Sequence, residues 1–323
     1  MTFSKTQHGS QSPSSGLPSS LERAISRLAR PHSPSHSWTA SPCGVKATCS
    51  KCSPASKGVF LENDGVFIRA SLCSCVAKCT LCHGICVTAS LDDKRVMIPC
   101  TEPSPLKIVG LINDARIPGR YLDADLKKFS NFTGSGKQVI SQIGRWIENF
   151  TPGKSSGLLL TGSVGVGKTY VLSAIAKALA LRGISVRFSD FFQLVNELRE
   201  SYSSDQKDPS VLRPLHEFDV LIIDELGKGR NSEWEISIAD TLISERYNST
   251  RCIIASTNYA LTEGRAEAAQ KQIDIWSTNT SQSNQMNTDQ FETLIKRLGP
   301  RIYSRLKEMA VFLELTGSDF RKA

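Results

Sequence analysis

Five short apolar runs set the pattern of the second half of the chain. They are Gly157-Leu-Leu-Leu-Thr161, Ser185-Val-Arg-Phe188, Asp219-Val-Leu-Ile-Ile-Asp-Glu225, Arg251-Cys-Ile-Ile-Ala-Ser-Thr257 and Ala310-Val-Phe-Leu-Glu-Leu315. Their length and nearly unbroken apolar content predict strands covered on both faces. Between them, apolar residues recur three and four apart. That spacing predicts helices over 137–150, 170–182, Asp190 to Tyr202, Glu235 to Tyr247, and from about Asp289 onward. Gly183 stops the second of these, and Asp190 is placed to cap the third. Strands alternating with helices imply an α/β domain, 137–323, with a parallel five-stranded sheet and helices on both faces. Ser203 to Pro209 reads as a polar loop, and 276–290 as an insertion rich in Ser, Thr, Asn and Gln.

The first half has a different pattern. Residues 1–42 are rich in Ser, Pro and His and bury too little apolar surface to offset their ordering entropy. A disordered tail is expected there, although Leu21-Glu-Arg-Ala-Ile-Ser-Arg-Leu28 could form a short amphipathic helix. Residues 43–103 form a cysteine-rich segment, and 104–136 read as a connector. Within the connector, Pro118 and Gly119 make a turn flanked by Ile117 and Tyr121, and such a segment just before a nucleotide fold can wrap an adenine.

Nine of the ten cysteines fall between residues 43 and 102, in two similar units. The first runs from Cys49-Ser-Lys-Cys52 through a turn at Asn63-Asp-Gly65 to Cys73-Ser-Cys75. The second runs from Cys79-Thr-Leu-Cys82 through a turn at Asp92-Asp-Lys94 to Cys100. Each reads as a knuckle, a β-hairpin and a second ligand pair, as tetrahedral Zn²⁺ ligation requires. Cys49, Cys52, Cys73 and Cys75 complete the first site. Cys79, Cys82 and Cys100 leave one position open in the second, for Cys86 or Glu102. His83 follows Cys82, so the segment also fits a c-type haem attachment pattern, which belongs to exported proteins. A thioredoxin-like pair would need a flanking βαβ pattern, and nine thiols are too dense for core packing alone.

Composition narrows the picture further. The chain has 323 residues and a net charge of +8. No run approaches the ~18 apolar residues of a membrane span, and the N-terminus has no apolar signal core, so a cytoplasmic protein is expected. The positive charge fits a nucleic-acid partner without requiring one.

The chemistry centres on Gly162, Ser163, Val164, Gly165, Val166, Gly167, Lys168 and Thr169, which match the G-x-x-x-x-G-K-[ST] template between a strand and a helix opened by Tyr170. That context distinguishes the stretch from a glycine turn that merely caps a helix. Backbone N–H groups and the helix dipole would hold the phosphates of ATP, Lys168 would reach the β- and γ-phosphates, and Thr169 would bind Mg²⁺. The third strand ends in Asp224 and Glu225, placed to hold Mg²⁺ through water and to activate the attacking water. Asn258, at the tip of the next strand, could position that water. Arg301 and Arg305 share one face of a helix.

From about residue 115 to 323 the sequence resembles the bacterial DnaC/DnaI-type helicase loaders, a clade of AAA+ ATPases. Ile117-Pro-Gly-Arg-Tyr121, the phosphate loop, Leu221 to Arg230, Ser232-Glu-Trp-Glu235, Leu242 to Asn248, Ser256-Thr-Asn-Tyr259, Arg301 to Leu306 and Gly317-Ser-Asp-Phe-Arg321 carry the resemblance. It implies that Asn258 is a sensor, Arg305 with Arg301 an arginine finger acting on a neighbouring subunit, and Arg321 a second sensor. It further implies no separate C-terminal lid, self-association through AAA+ faces, single-stranded DNA binding and a replicative ring helicase as partner. Its DnaI-type members also place a cysteine-rich zinc domain in front. IstB-like transposition helpers share the ATPase core, and a non-hydrolysing zinc adaptor is the alternative from another class.

Overall fold

The computed structural model describes Cys49, Cys52, 57–76, Cys82, 85–89, 97–100, 103–129, 135–203, 212–264, 292–317 and Asp319. The tail 1–42, the turn at Asp92 to Lys94, the insertion 276–290, Cys79, His83, Glu102 and Arg321 lie outside the described residues, as does most of the Ser203 to Pro209 loop.

The cysteine-rich segment forms two antiparallel hairpins, as its spacing predicts. β1 (Val59–Asn63) pairs with β2 (Ile68–Leu72), and β3 (Val87–Ala89) pairs with β4 (Met97–Pro99). The turn of the first is stapled by Asp64, whose carboxylate accepts from the backbone N–H of Val66 at 2.8 Å and of Phe67 at 2.7 Å. These donors, with the Arg69 guanidinium, hold its carboxyl down to about 2.

The connector contains a helix that the spacing did not announce. α1 (Pro105–Ala115) starts from Ser104, whose hydroxyl accepts from the Lys107 N–H, with proline in the first turn. Ile108, Ile112 and Ala115 then fall on one buried face. Short 3-10 turns follow at Gly119–Tyr121 and Leu126–Lys128.

The α/β part then runs α2 (Ser135–Asn149), β5 (Gly157–Thr161), α3 (Lys168–Leu181), β6 (Val186–Asp190), α4 (Phe191–Ser203), α5 (Arg213–Glu217), β7 (Val220–Asp224), α6 (Glu233–Asn248) and β8 (Cys252–Thr257). It closes with α7 (Leu294–Leu298), α8 (Pro300–Met309) and β9 (Ala310–Glu314). The single helix expected from Asp289 is two helices among the described residues. Gly299, at φ 85°, and Pro300 break it, because a left-handed residue followed by proline cannot continue an α-helix. Asp190 caps α4 as expected, its carboxylate accepting from the Gln193 N–H at 2.9 Å. Ser232 and Glu235 close a reciprocal capping box on α6.

The five strands β5 to β9 form one all-parallel sheet in the order β6-β7-β8-β5-β9. Every residue of β5, β7 and β8 is buried, which explains why those runs show no polar alternation. Alternate side chains feed two cores. Leu158, Leu160, Val220, Ile222 and Ile254 join α1, α2 and α3 on one face, while Leu159, Leu221, Ile223 and Ile253 join α4, α6, α7 and α8 on the other. Val59, Ile68 and Ala70 of the first hairpin belong to the first of these cores. The first hairpin therefore packs into the core of the α/β part, while Cys52, Cys73, Cys75, Val76, Cys82, Cys86 and Cys100 form a separate buried cluster. No helix among the described residues is long and apolar enough to cross a membrane.

Candidate functional site

The phosphate loop leaves β5 at Thr161 and enters α3 at Lys168. Its path is fixed by close neighbours. Leu315 donates its N–H to the Thr161 carbonyl at 2.7 Å. A Cβ on Gly162, at φ 147°, would lie 2.2 Å from the Leu315 carbonyl oxygen, and one on Gly165, at φ 87°, would lie 2.2 Å from the Asp319 carboxylate. Only glycine fits either position. Val166 turns inward and is buried in the core, so it supports the loop from beneath. Lys168 is folded over the loop, its ammonium donating to the carbonyls of Gly162 and Ser163 at 2.8 Å each.

Strand order brings the acids to this loop. β7 ends at Asp224, which is buried and hydrogen-bonded by the Ser256 hydroxyl and the side chain of Thr169. Burial raises the Asp224 pKa. The two hydrogen bonds oppose that shift, and the charges of Glu225 and Asp190 add to it. A divalent cation here would offset the crowding of negative charge. Glu225 sits in the left-handed region at φ 54°, with its N–H bonded to Ser256 Oγ at 3.0 Å. Its carboxylate pairs with the Lys228 ammonium, which raises the lysine's pKa.

A cavity of about 540 Å³ joins these groups. Val164, Gly165, Gly167, Lys168, Thr169, Tyr170, Asp224, Glu225 and Asn258 line one part. Arg120, Tyr121, Lys128 and Phe129 line the rest. Phe129 lies 5.0 Å from the Tyr170 ring, and Tyr121 meets the same ring edge-on at 6.4 Å. The Tyr170 hydroxyl accepts from the Asp125 N–H at 3.0 Å, so the cluster is anchored to the 3-10 segment. These rings, with the Arg120 guanidinium, offer flat surfaces on which a base can stack.

One expectation changes here. Ile117 does not face this cavity: it is fully buried in the first core, and its carbonyl accepts from the Ile68 N–H at 2.8 Å. Gly162, Ser163 and Val166 shape the loop without lining the cavity. Sequence reasoning missed Arg120, Lys128 and Phe129. Arg120 stood inside a quoted motif, and Phe129 is a single aromatic in a polar stretch.

Arg301 and Arg305 lie elsewhere. Arg305 donates to Asp240 Oδ1 at 2.9 Å and to Ser244 Oγ at 2.8 Å, both on α6. Arg301 stays 71% exposed, 3.6 Å from the same Asp240 carboxylate. Neither lines the nucleotide cavity of its own chain.

The first cysteine unit closes as expected. The four Sγ atoms of Cys49, Cys52, Cys73 and Cys75 all lie within 4.8 Å of one another, a donor set suited to Zn²⁺. Among the described residues this is the one such group of three or more ligands. Burial pushes the Cys52 and Cys75 thiols up; neighbouring thiols add to the rise at Cys52, whereas at Cys75 the hydrogen bond with Cys52 opposes it. In the second unit Cys82, Cys86 and Cys100 are all buried. Cys86 takes φ 62°, and its carbonyl accepts from the Cys100 N–H at 2.9 Å, so Cys86 belongs to the folded second unit.

Residues 128–270 match the family of IstB-like ATP binding proteins. The replicative helicase loader DnaC of Escherichia coli K12 is 27% identical over 126 residues, 39% of this chain and 51% of that protein. The DnaC of Buchnera aphidicola subsp. Schizaphis graminum is 24% identical over 152 residues, 46% of this chain and 61% of its own. A crystal structure of the DnaC helicase loader aligns with a TM-score of 0.48 at 28% identity, over 61% of this chain and 99% of that one. The chain thus spans about half the length of the curated relatives it matches.

Proposed function

We propose, for a chain whose nucleotide-binding region is of the DnaC/DnaI helicase-loader type with IstB-like relatives, that it binds and hydrolyses ATP in loading a replicative ring helicase onto single-stranded DNA in the cytoplasm. The observation that carries this reading is the cavity in which the phosphate loop, Asp224, Glu225 and Asn258 meet. Lys168 must leave the loop carbonyls to reach the β- and γ-phosphates. Thr169 and Asp224 would hold Mg²⁺, which supplies charge neutralisation across those phosphates. Glu225 takes a proton from the attacking water. The water oxygen bonds to the γ-phosphorus as the β–γ bridge breaks, and ADP and phosphate leave. Asn258 orients the water, and Tyr121, Phe129 and Tyr170 receive the base. Arg301 and Arg305 serve a neighbouring chain, and Arg321 acts as the second sensor. Cys49, Cys52, Cys73 and Cys75 would hold one Zn²⁺, and Cys79, Cys82, Cys86 and Cys100 a second.

A second reading, an IstB-like transposition helper, is supported by the family match over 128–270. Pull-down with the full chain, read by mass spectrometry, separates the two. Capture of the ring helicase supports the loader, and capture of a transposase supports the helper. The full chain is needed because the first hairpin shares the ATPase core. A protein that binds ATP without turnover, with DNA and helicase present, would instead be an adaptor that uses nucleotide as a structural ligand.

A further inference from the structure

The turn that carries Glu225 is gripped from a helix more than sixty residues away in sequence. After Glu225 the chain turns through Gly227, at φ 88°, and Gly229, at φ 146°. Both carbonyls meet one side chain. Arg297 Nε donates to the Gly227 carbonyl at 2.7 Å, and Nη2 donates to that of Gly229. The guanidinium lies 5.2 Å from the centre of the Tyr259 ring, and the Tyr259 hydroxyl donates to the same Gly227 oxygen at 3.3 Å. Nη1 faces Glu292 at 3.6 Å. A Cβ on Gly227 would meet Arg297 Cγ and Tyr259 Cε2 at 3.2 Å each, so the packing is tight. The remaining anchors come from β8: Thr257 donates to the Leu226 carbonyl at 3.0 Å, and the Leu226 N–H donates to that of Ser256 at 2.7 Å.

We propose that Arg297 is a positioning residue for Glu225. By holding the carbonyls of Gly227 and Gly229 it fixes the turn from which Glu225 reaches the attacking water. It also ties that turn to α7 and α8, the helices leading to Arg301 and Arg305. The proposal rests on the reading of Glu225 as the water-activating residue. Arginine suits the task because one planar fork serves two carbonyls and a carboxylate at once, whereas an ammonium is a single point of charge. Arg297 does not line the nucleotide cavity, and the phosphate loop and Asp224 have their own supports in Leu315, Ser256 and Thr169. Its loss should therefore leave nucleotide binding intact and disturb the chemical step.

The test is Arg297→Ala in the full chain, read by nucleotide affinity, turnover and amide hydrogen exchange. Affinity should stay within about threefold of wild type while kcat falls about tenfold or more. Exchange should quicken over 225–230 and not over 162–169. Arg297→Lys should recover only part of the rate, and Tyr259→Phe should show a milder version of the same split. In a Glu225→Gln background, Arg297→Ala should add little further loss, because both act on one function. Unchanged exchange over 225–230, a kcat equal to wild type while Glu225→Gln is slow, or losses that multiply in the double variant would each overturn the proposal. If Glu225→Gln itself runs at the wild-type rate, the reading of Glu225 fails first, and exchange still reports whether Arg297 holds the turn. Should Arg297→Ala not fold, Arg297→Lys and Tyr259→Phe carry the same readouts.

Discussion

The side-chain amide of Asn113 pairs with both backbone groups of Ala70, accepting from its N–H at 2.8 Å and donating to its carbonyl at 3.1 Å. An amide on α1 thus completes the free edge of β2, as a neighbouring strand would. The joint continues at the hairpin turn, where Gly119 donates its N–H to the Val66 carbonyl at 2.9 Å. A Cβ on Gly119 would lie 2.0 Å from Asn63 Oδ1. Arg120 and Tyr121, which line the nucleotide cavity, follow at once. The cysteine hairpin is therefore built against the nucleotide site.

Asn113→Ala should accordingly lower the unfolding free energy by about 1–3 kcal/mol, because two half-buried backbone groups lose their partner. Urea unfolding checks this. Asn113→Asp should be at least as damaging, since its carboxylate would face the Ala70 carbonyl and donate nothing. A change below about 0.5 kcal/mol in both would mean that water replaces the amide without cost.

One metal site follows from the thiol geometry of Cys49, Cys52, Cys73 and Cys75; a second rests on the cysteine spacing of the second unit alone. Purified protein should carry about two zinc ions per chain, and Cys49→Ser should lose about one. The remaining ion would be the one held by Cys79, Cys82, Cys86 and Cys100. Elemental analysis of protein prepared without chelator decides it, and absence of zinc would remove the metal reading. A Soret band would instead revive haem attachment at Cys79 and Cys82.

The nucleotide site separates binding from chemistry. In the proposed mechanism Lys168 supplies charge to the β- and γ-phosphates, so Lys168→Ala should abolish ATP binding. Glu225→Gln keeps the shape of the site and should bind ATP but hydrolyse it poorly. Equilibrium binding and phosphate release, measured on both, test the two roles. Wild-type turnover by Glu225→Gln would remove the water-activating assignment.

His216 gives a pH dependence of stability. Burial lowers its pKa below the ordinary 6.5, against the pull of Glu245 and with help from Arg246 and Arg251. The unfolded chain therefore takes up the proton first. The contribution is fully present above the unfolded value and declines as pH falls below 6.5 towards the folded one. Replacement by Gln should flatten the melting-temperature profile on the acid side of neutrality. A slope unchanged from wild type would assign that dependence to other groups.

The parallel sheet was legible because β5, β7 and β8 are buried on both faces, and burial of that kind leaves an unbroken apolar run. The phosphate loop was legible because Gly162, Gly165 and Gly167 all take positive φ, which favours glycine at that fixed spacing. Helix α1 was less so: Pro105 and Ser104 are its start signals, but its apolar stripe serves the hairpin as well as the sheet. Ile117 was misassigned because motif position says which residues are close in sequence, not which way a side chain turns. Its neighbour Tyr121 faces the cavity while Ile117 is packed in the core. Arg297 carried no local signal, since its partners are carbonyls near residue 228.

Arg305 is held to Asp240 and Ser244 on its own α6, and neither it nor Arg301 reaches the cavity that contains Lys168. If Arg305 acts in hydrolysis, a second chain must present it, and its pair with Asp240 must open. Opening gives up the pair with Asp240 and the hydrogen bond to Ser244. A phosphate carrying developing charge is the stronger partner, and an arginine supplied in this way can be worth ~10³-fold in rate. Arg305→Ala should then bind ATP nearly normally and hydrolyse it slowly. Mixed with Lys168→Ala, itself inactive, it should regain turnover, because the Lys168→Ala chain offers an intact Arg305 to the intact ATP site beside it. The measurement is ATPase activity of each variant alone and of the mixture, at concentrations where the chains associate, with single-stranded DNA and helicase present. No recovery despite demonstrated co-assembly would leave Arg305 as a helix-packing residue, fixed to Asp240 for stability alone.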